Sequence, residues 1–242
     1  MRLALFDLDH TLIPFDSGLA WLRFLVARGS LPAEAETHYL AECRRFMAGE
    51  IDVRALHRAL VAPLRDSGRN ELDTWLVEFE AGLAPSLPAA ALALVARHLA
   101  AGDRCVLVTA TTRFVAERYA FAFGIGEVLA TEAVRDSHGR LTGETAGAPC
   151  VGAHKLSRLG DALTLEGAAL ADFERSWFYS DSAGDLPLLE AVSDPVAVRP
   201  DARLAAVAAE RSWPVIELAD RAEAPVPEHE PPRKTREKPR FQ

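Results

Sequence analysis

Four aspartates stand at positions where a carboxylate is chemically informative. Asp7 closes a short apolar run at residues 3–6, and Asp9 follows two residues later. Asp181 closes a second run at 176–180, and Asp185 follows four residues after it. In an open parallel sheet, ligands bind outside the carboxyl ends of the strands. Both aspartate pairs would therefore converge on one edge. Four carboxylates at close quarters do not all ionise without a cation. An all-oxygen donor set suits Mg²⁺, which keeps several waters and takes one or two carboxylates. A phosphate on such an ion is polarised for attack. Asp7 is then the expected nucleophile, forming an aspartyl-phosphate. Asp9, displaced by the turn, is the expected acid/base, protonating the leaving oxygen and later activating water. Thr109 ends a third apolar run and offers a hydroxyl to the phosphate. The backbone N–H groups of Ala110, Thr111 and Thr112 lead into a helix, a favourable anion site. Lys155 opens another helix and is the expected point charge on the phosphoryl oxygens, with His154 and Arg158 as alternatives.

These residues need a frame. The apolar runs at 3–6, 104–108 and 176–180 read as buried strands. Helical periodicity at 91–101 and 114–123 stops at Gly102 and Gly124, as helices often do. A helix follows Lys155, and 186–192, 195–198, 204–209 and 214–218 continue the alternation of helix and strand. The segments 128–134 and 140–145, separated by Asp136-Ser137-His138-Gly139, read as one hairpin. Strands alternating with helices predict an α/β fold with a mostly parallel sheet covered on both faces. Between the first two strands the pattern is helical only. Leu19, Leu22 and Val26 share one face, and Leu56, Leu60 and Leu64 another. Gly and Pro punctuation divides this stretch into about four helices.

The motifs resemble those of the haloacid dehalogenase superfamily. Asp7-Leu8-Asp9-His10-Thr11-Leu12 is similar to its DxDxT motif in the phosphatase form. Val108-Thr109-Ala110-Thr111 resembles the second motif, Lys155 the third motif's lysine, and residues 179–187 the fourth, a DSxxD pattern. The order and spacing match over residues 1–220. The resemblance implies a Rossmann-like parallel sheet, Mg²⁺ and an aspartyl-phosphate. It implies Asp7 as nucleophile and metal ligand, and Asp9 as acid/base with its carbonyl on the metal. Thr109, Ala110 and Lys155 hold the phosphate, Asp181 ligates the metal directly or through water, and Asp185 supports that shell. Dehalogenases lack the second aspartate, so Asp9 points to phosphoryl chemistry. The helical insert resembles the cap of the phosphoserine-phosphatase-like branch, which includes histidinol-phosphatases. The expected organisation is a core at 1–14 and 85–220, a cap at 15–84 and a disordered tail at 221–242.

Substrate choice is expected in the cap. Asp16 binds a substrate amine, or Asp16 or Ser17 caps the next helix. Arg44, Arg45, His57 and Arg58 are candidates for a carboxylate or imidazole, or form a solvated helix face. His10 is not expected to be catalytic.

The chain has 242 residues, 49% apolar and 26% charged, with 27 basic against 35 acidic side chains and a formal charge of -8. That is an ordinary globular composition. The acidic balance excludes general nucleic-acid binding, which needs a basic footprint. Cys43, Cys105 and Cys150 form no CxxC pair, so no zinc site is expected, and an odd count suits a reducing compartment. The apolar run before Asp7 is too short for a signal peptide, and no stretch is long enough for a membrane span. The expected protein is cytoplasmic, without nucleic-acid or membrane partners. Its expected activity is hydrolysis of a small phosphorylated metabolite such as histidinol phosphate or phosphoserine. The alternatives are a phosphotransferase of the same fold and a non-catalytic phosphate-ester-binding protein.

Overall fold

The computed structural model describes residues 1–218. The predicted tail at 221–242 lies outside them. In chain order the elements are β1 (Arg2–Phe6), α1 (Ser17–Ala27), α2 (Ala33–Met47), α3 (Val53–Val61), α4 (Arg69–Ala81) and α5 (Ala89–Ala100). Then come β2 (Arg104–Thr112), α6 (Arg113–Phe123), β3 (Glu127–Thr131), β4 (Ala133–Arg135), β5 (Leu141–Thr145) and α7 (Ala153–Leu165). The chain continues through β6 (Arg175–Ser180), α8 (Leu186–Leu189), β7 (Asp194–Val198), α9 (Ala202–Glu210) and β8 (Val215–Ile216).

Six strands form one sheet in the order β3-β2-β1-β6-β7-β8, and every pairing in it is parallel. The chain builds outward from β1 to β3, then returns to the other side of β1 with β6. The crevice at that reversal is where α/β sheets bind ligands. Strand β1 shows why both faces are covered. Side chains alternate across a strand: Ala4 and Phe6 enter one apolar cluster, Leu3 and Leu5 the other. All four are fully buried.

One expected hairpin is two structures. Residues 127–131 pair with β2 as the outer strand of the main sheet, and only β4 pairs with β5, antiparallel. Val128 and Leu129 find partners in Leu107 and Val108, and Thr131 Oγ1 donates to the Ala110 carbonyl at 2.7 Å. Apolar pairing to β2 thus captures the first half of the run. The small ribbon turns where Asp136 Oδ1 accepts the N–H groups of His138 and Arg140, each at 2.9 Å.

The stretch between β1 and α5 is helical, as predicted. It is rooted in the same apolar cluster as one face of the sheet. Trp21 of α1 lies 5.2 Å from the Phe79 ring of α4 and 6.4 Å from Phe114 of α6, and Phe79 is 5.8 Å from Tyr119 of α6. Helices α1 and α4 are thereby fastened to the sheet layer. Helix α3 and the turn after it instead meet the β4–β5 ribbon through polar contacts. Arg58 of α3 forms a two-pronged pair with Glu144, both contacts 3.1 Å, Arg54 of α3 reaches Thr145, and Arg65 in the following turn donates to the Thr142 carbonyl at 3.0 Å. Among the described residues no helix is long and apolar enough to cross a membrane.

Candidate active site

Asp7 sits at the carboxyl end of β1, the strand between β2 and β6. Its N–H still pairs with the Tyr179 carbonyl at 3.0 Å, so the sheet fixes its position. Lys155 Nζ donates to Asp7 Oδ1 at 2.8 Å and to Asp185 Oδ2 at 2.7 Å. Asp185 Oδ2 also accepts from Ser180 Oγ at 2.7 Å. Asp7 Oδ2 accepts no hydrogen bond among the described residues and is not sealed from the surface. One carboxylate oxygen is tied and the other is open.

Lys155 is 3% exposed and lies in the first turn of α7, where the helix dipole disfavours a cation. Burial alone would depress its pKa, but the charges of Asp185 and Asp7 outweigh this and hold it above the usual lysine range. The ammonium also lies 5.7 Å from the Phe178 ring. Gly152, with φ +56°, precedes α7, and a Cβ there would stand 3.5 Å from the Gly184 carbonyl. That contact would be an ordinary one; it is the backbone conformation, φ +56° with ψ -131°, that calls for glycine at the start of α7. Arg158 instead donates to the Ala148 carbonyl at 2.6 Å, so Lys155 and not Arg158 reaches the carboxylates.

The turn after β1 is tightly held. Thr11 and Ile13 donate their N–H groups to the Leu8 carbonyl, and His10 adopts φ 59°. Asp9 Oδ1 accepts the Ser17 N–H at 2.6 Å, and Asp9 Oδ2 accepts Thr111 Oγ1 at 2.5 Å. The Ser17 and Thr111 hydroxyls lie 2.9 Å apart. Ser17 is therefore fully buried and committed to Asp9 and Thr111. It is neither open to a substrate nor the cap of α1. Asp16 is that cap, accepting the Leu19 N–H at 2.7 Å, and Tyr39 of α2 donates to it at 3.2 Å. Burial, then the charge of Asp9, pushes Asp16 up to about 6.

At the end of β2 the pairing with β3 slips: Val108 faces Leu129, but Thr112 faces Thr131. Such a bulge re-aims side chains. Thr109 is 1% exposed, and its Oγ1 accepts the Thr111 N–H at 3.2 Å. Ala110 lies inside the bulge, two residues before the Thr112 cap of α6. Across the crevice, Thr11 Oγ1 donates to Asp181 Oδ1 at 2.9 Å and accepts the Asp181 N–H at 3.0 Å.

The site holds an excess of acid. Burial raises Asp7 well above the usual carboxylate range, opposed by Lys155 and reinforced by Asp185 and Asp181. Burial likewise raises Asp181. Among the described residues no group of three or more His, Cys, Asp or Glu side chains is arranged to hold a metal. The carboxylates of Asp7 and Asp181 with the carbonyl of Asp9 make a sparser set of hard oxygens, the kind Mg²⁺ completes with water.

The cap candidates separate. Arg45 pairs with Glu42 and Glu50, and Arg58 with Glu144, on the surface. His57 is buried, and burial lowers it to about 4. Arg44 is exposed and makes no ion pair among the described residues. Sequence reasoning passed over the holding roles of Thr11, Ser180, Thr111 and Tyr39. Thr11 and Thr111 lay within the quoted motifs, whereas Tyr39 carried no signal beyond its place in an amphipathic helix.

A parallel α/β sheet with carboxylates at the ends of two neighbouring strands defines a hydrolase class. Residues 4–190 match the family of haloacid dehalogenase-like hydrolases, and the chain belongs to it. It is 38% identical over 217 residues to a histidinol-phosphatase of Neisseria meningitidis serogroup C, covering 89% of this chain and 98% of the other. It is 31% identical over 222 residues to a phosphoserine phosphatase of Mycobacterium tuberculosis, covering 88% and 69%. A crystal structure of a protein of unknown function from Bordetella pertussis Tohama I superposes with a TM-score of 0.83 at 41% identity, covering 90% and 99%. The chain is a phosphoric monoester hydrolase of this family.

Proposed function

We propose that the protein hydrolyses a small phosphorylated metabolite through a phosphoryl group carried on Asp7, with Mg²⁺ as cofactor. The observation that carries this reading is the asymmetry of Asp7: Lys155 holds Oδ1 at 2.8 Å and leaves Oδ2 open at the carboxyl edge. Asp7 Oδ2 attacks phosphorus, and the P–O bond to the leaving group breaks. Asp9, its carboxyl oriented by Ser17 and Thr111, protonates the leaving oxygen. It then takes a proton from the water that cleaves the acyl phosphate, releasing phosphate and restoring Asp7. Lys155 and the Thr109 hydroxyl, with the N–H of Ala110, receive the phosphoryl oxygens. Asp7 and Asp181, with the Asp9 carbonyl, would hold Mg²⁺, and Asp185 orients Lys155 toward Asp7. Bound there, the ion supplies Lewis-acid polarisation of the phosphate and offsets the carboxylate repulsion.

The helical stretch at 15–84 acts as a cap that shields the reaction from bulk water. Asp16 is the cap-side group for a cationic part of the substrate, such as an amine or imidazolium. A buried acid raised by a like charge is stabilised by a cation. Histidinol phosphate and phosphoserine, named by the relatives, both carry one. The test is Mg²⁺-dependent phosphate release from a panel including both, with a generic aryl phosphate as reference. Preference of about 10²-fold in kcat/KM for one amine-bearing ester supports the reading. Turnover of the aryl phosphate by Asp7→Asn at the wild-type rate overturns the role of Asp7. Transfer to an added alcohol outpacing release to water would assign phosphotransfer instead.

A further inference from the structure

Arg199 follows β7, outside all four motifs, and touches neither Lys155 nor the carboxylates in the described contacts. Its Nη2 donates to the His10 carbonyl at 2.6 Å and reaches the Thr11 carbonyl at 3.3 Å. These are the two residues directly after Asp9. Among the described residues, His10 and Arg199 are also two of the three non-glycine residues with positive φ, at 59° and 43°. Arg199 precedes Pro200, which disfavours helical backbone at the residue before it. Strained conformations persist only where the surroundings over-determine them, and they cluster at functional sites. Here two of them meet across one hydrogen bond.

The same turn grips the opposite side of the crevice. Asp201 donates its N–H to the Asp181 carbonyl at 2.8 Å, and its Oδ2 accepts the Ala183 N–H at 2.8 Å. Its Oδ1 caps α9 through the Leu204 N–H at 2.8 Å. Thr11 closes the circuit through its hydroxyl, which both donates to and accepts from Asp181. The turn between β7 and α9 therefore holds the loop bearing Asp9 with one residue and the loop bearing Asp181 with another.

We propose that Arg199, with Asp201 beside it, is a positioning residue that sets the spacing between the Asp9 carbonyl and Asp181 across the crevice. A guanidinium suits this task, since its Nη2 carries two N–H donors that reach both carbonyls and its planar head stays charged. Arg199 acts through the Thr11 turn and makes no contact with the reacting atoms. The proposal goes beyond the phosphatase reading and rests on it only for the consequence of the spacing.

The experiment uses the full chain, Arg199→Asn and Arg199→Lys. Asparagine tolerates the left-handed backbone, so it removes the guanidinium without adding strain. Lysine keeps the charge and the donors but on a flexible stem without the rigid planar head. Three quantities are measured: amide exchange of the peptide spanning residues 8–12, Mg²⁺ affinity by titration calorimetry, and aryl phosphate turnover. The expected result for Arg199→Asn is exchange faster by at least about 10-fold in that peptide, with α5 unchanged. Mg²⁺ affinity should fall about 10–100-fold, as when partners behind metal ligands are removed. At saturating Mg²⁺, KM should stay within about 3-fold while kcat falls, since Arg199 does not contact substrate. Arg199→Lys should lie between. Equal exchange in the 8–12 peptide with wild-type Mg²⁺ affinity overturns the proposal. So does a lowered melting temperature with neither quantity changed, which marks a merely structural residue. Wild-type protein that neither binds Mg²⁺ nor turns over phosphate, with the exchange effect intact, refutes the Mg²⁺ reading but leaves Arg199 as the brace of the turn.

Discussion

The two ends of the central sheet each bury a charged cluster, and the clusters are built differently. At the amino end, His98 Nδ1 contacts Asp103 Oδ2 at 2.8 Å and His98 Nε2 contacts the Tyr179 hydroxyl at 2.8 Å. Arg2 lies 2.6 Å from Asp103, and Phe6 and Trp177 pack against the His98 ring. Acid and base are matched, and α5 is fastened to β1 and β6. At the carboxyl end Lys155 bridges Asp7 and Asp185, and Asp9, Asp16 and Asp181 lie along the same edge without a cation of their own among the described residues. Burial pushes three of them up: Asp7, Asp16 and Asp181. A matched network rigidifies. An acid-rich one stores a demand for positive charge, which a metal and a cationic substrate can meet. The same polar chemistry thus serves as a fastener at one end and as a site at the other.

The largest break in that contrast is Lys155→Met. It leaves two buried carboxylates without their cation and should lower stability by about 3–5 kcal/mol, read by urea unfolding. Adding Asp7→Asn should recover part of the loss, because the two residues share one interaction. Next is the response to Mg²⁺. An ion that binds only the folded state adds about 2.7 kcal/mol at 100 times its dissociation constant. The melting temperature should rise accordingly, and Asp181→Asn should blunt the rise. The amino-end cluster supplies the converse. His98→Phe strands Asp103 and the Tyr179 hydroxyl and should cost about 1–3 kcal/mol. Its kcat and its Mg²⁺ response should match wild type. An equal loss of kcat would erase the contrast between fastener and site.

The smallest effect concerns pH. Asp16 is raised to about 6 in the fold against 3.8 in the free chain. Between those values the folded state binds more protons than the unfolded one, so stability falls as pH rises. Above about 6 the penalty is complete. Asp16→Asn keeps the cap to Leu19, since Asn and Asp cap helices equally well. It should therefore be more stable than wild type at pH 8 and indistinguishable at pH 3. Thermal scans in the absence of metal and substrate check this. An equal difference at both pH values would remove the charge as its cause.

The carboxyl-end cluster was legible because strand ends, turn spacing and a first-turn lysine all leave marks in a single chain. Asp7, Thr109 and Asp181 needed only the apolar runs before them to be placed on one edge, and Lys155 needed its place at the start of a helix. The α/β class followed from the same alternation. What was hidden depends on partners far along the chain. Arg199 reads as an ordinary charge until the fold sets it against the His10 and Thr11 carbonyls. The division at Thr131 was also hidden, because β3 and β4 read as one run until β2 captures the first half. Arg45 and Arg58 read either as substrate ligands or as a solvated helix face, and only the fold shows Glu42, Glu50 and Glu144 engaging them on the surface.

The central claim is that the open oxygen of Asp7 takes the phosphoryl group. Enzyme quenched in acid during steady-state turnover, reduced with borohydride and digested, reports this by mass spectrometry. An acyl phosphate is reduced to an alcohol, converting aspartate to homoserine. The expected result is homoserine at position 7 alone, dependent on both substrate and Mg²⁺. Homoserine at position 9, or none at position 7 while phosphate is released at an undiminished rate, would contradict it.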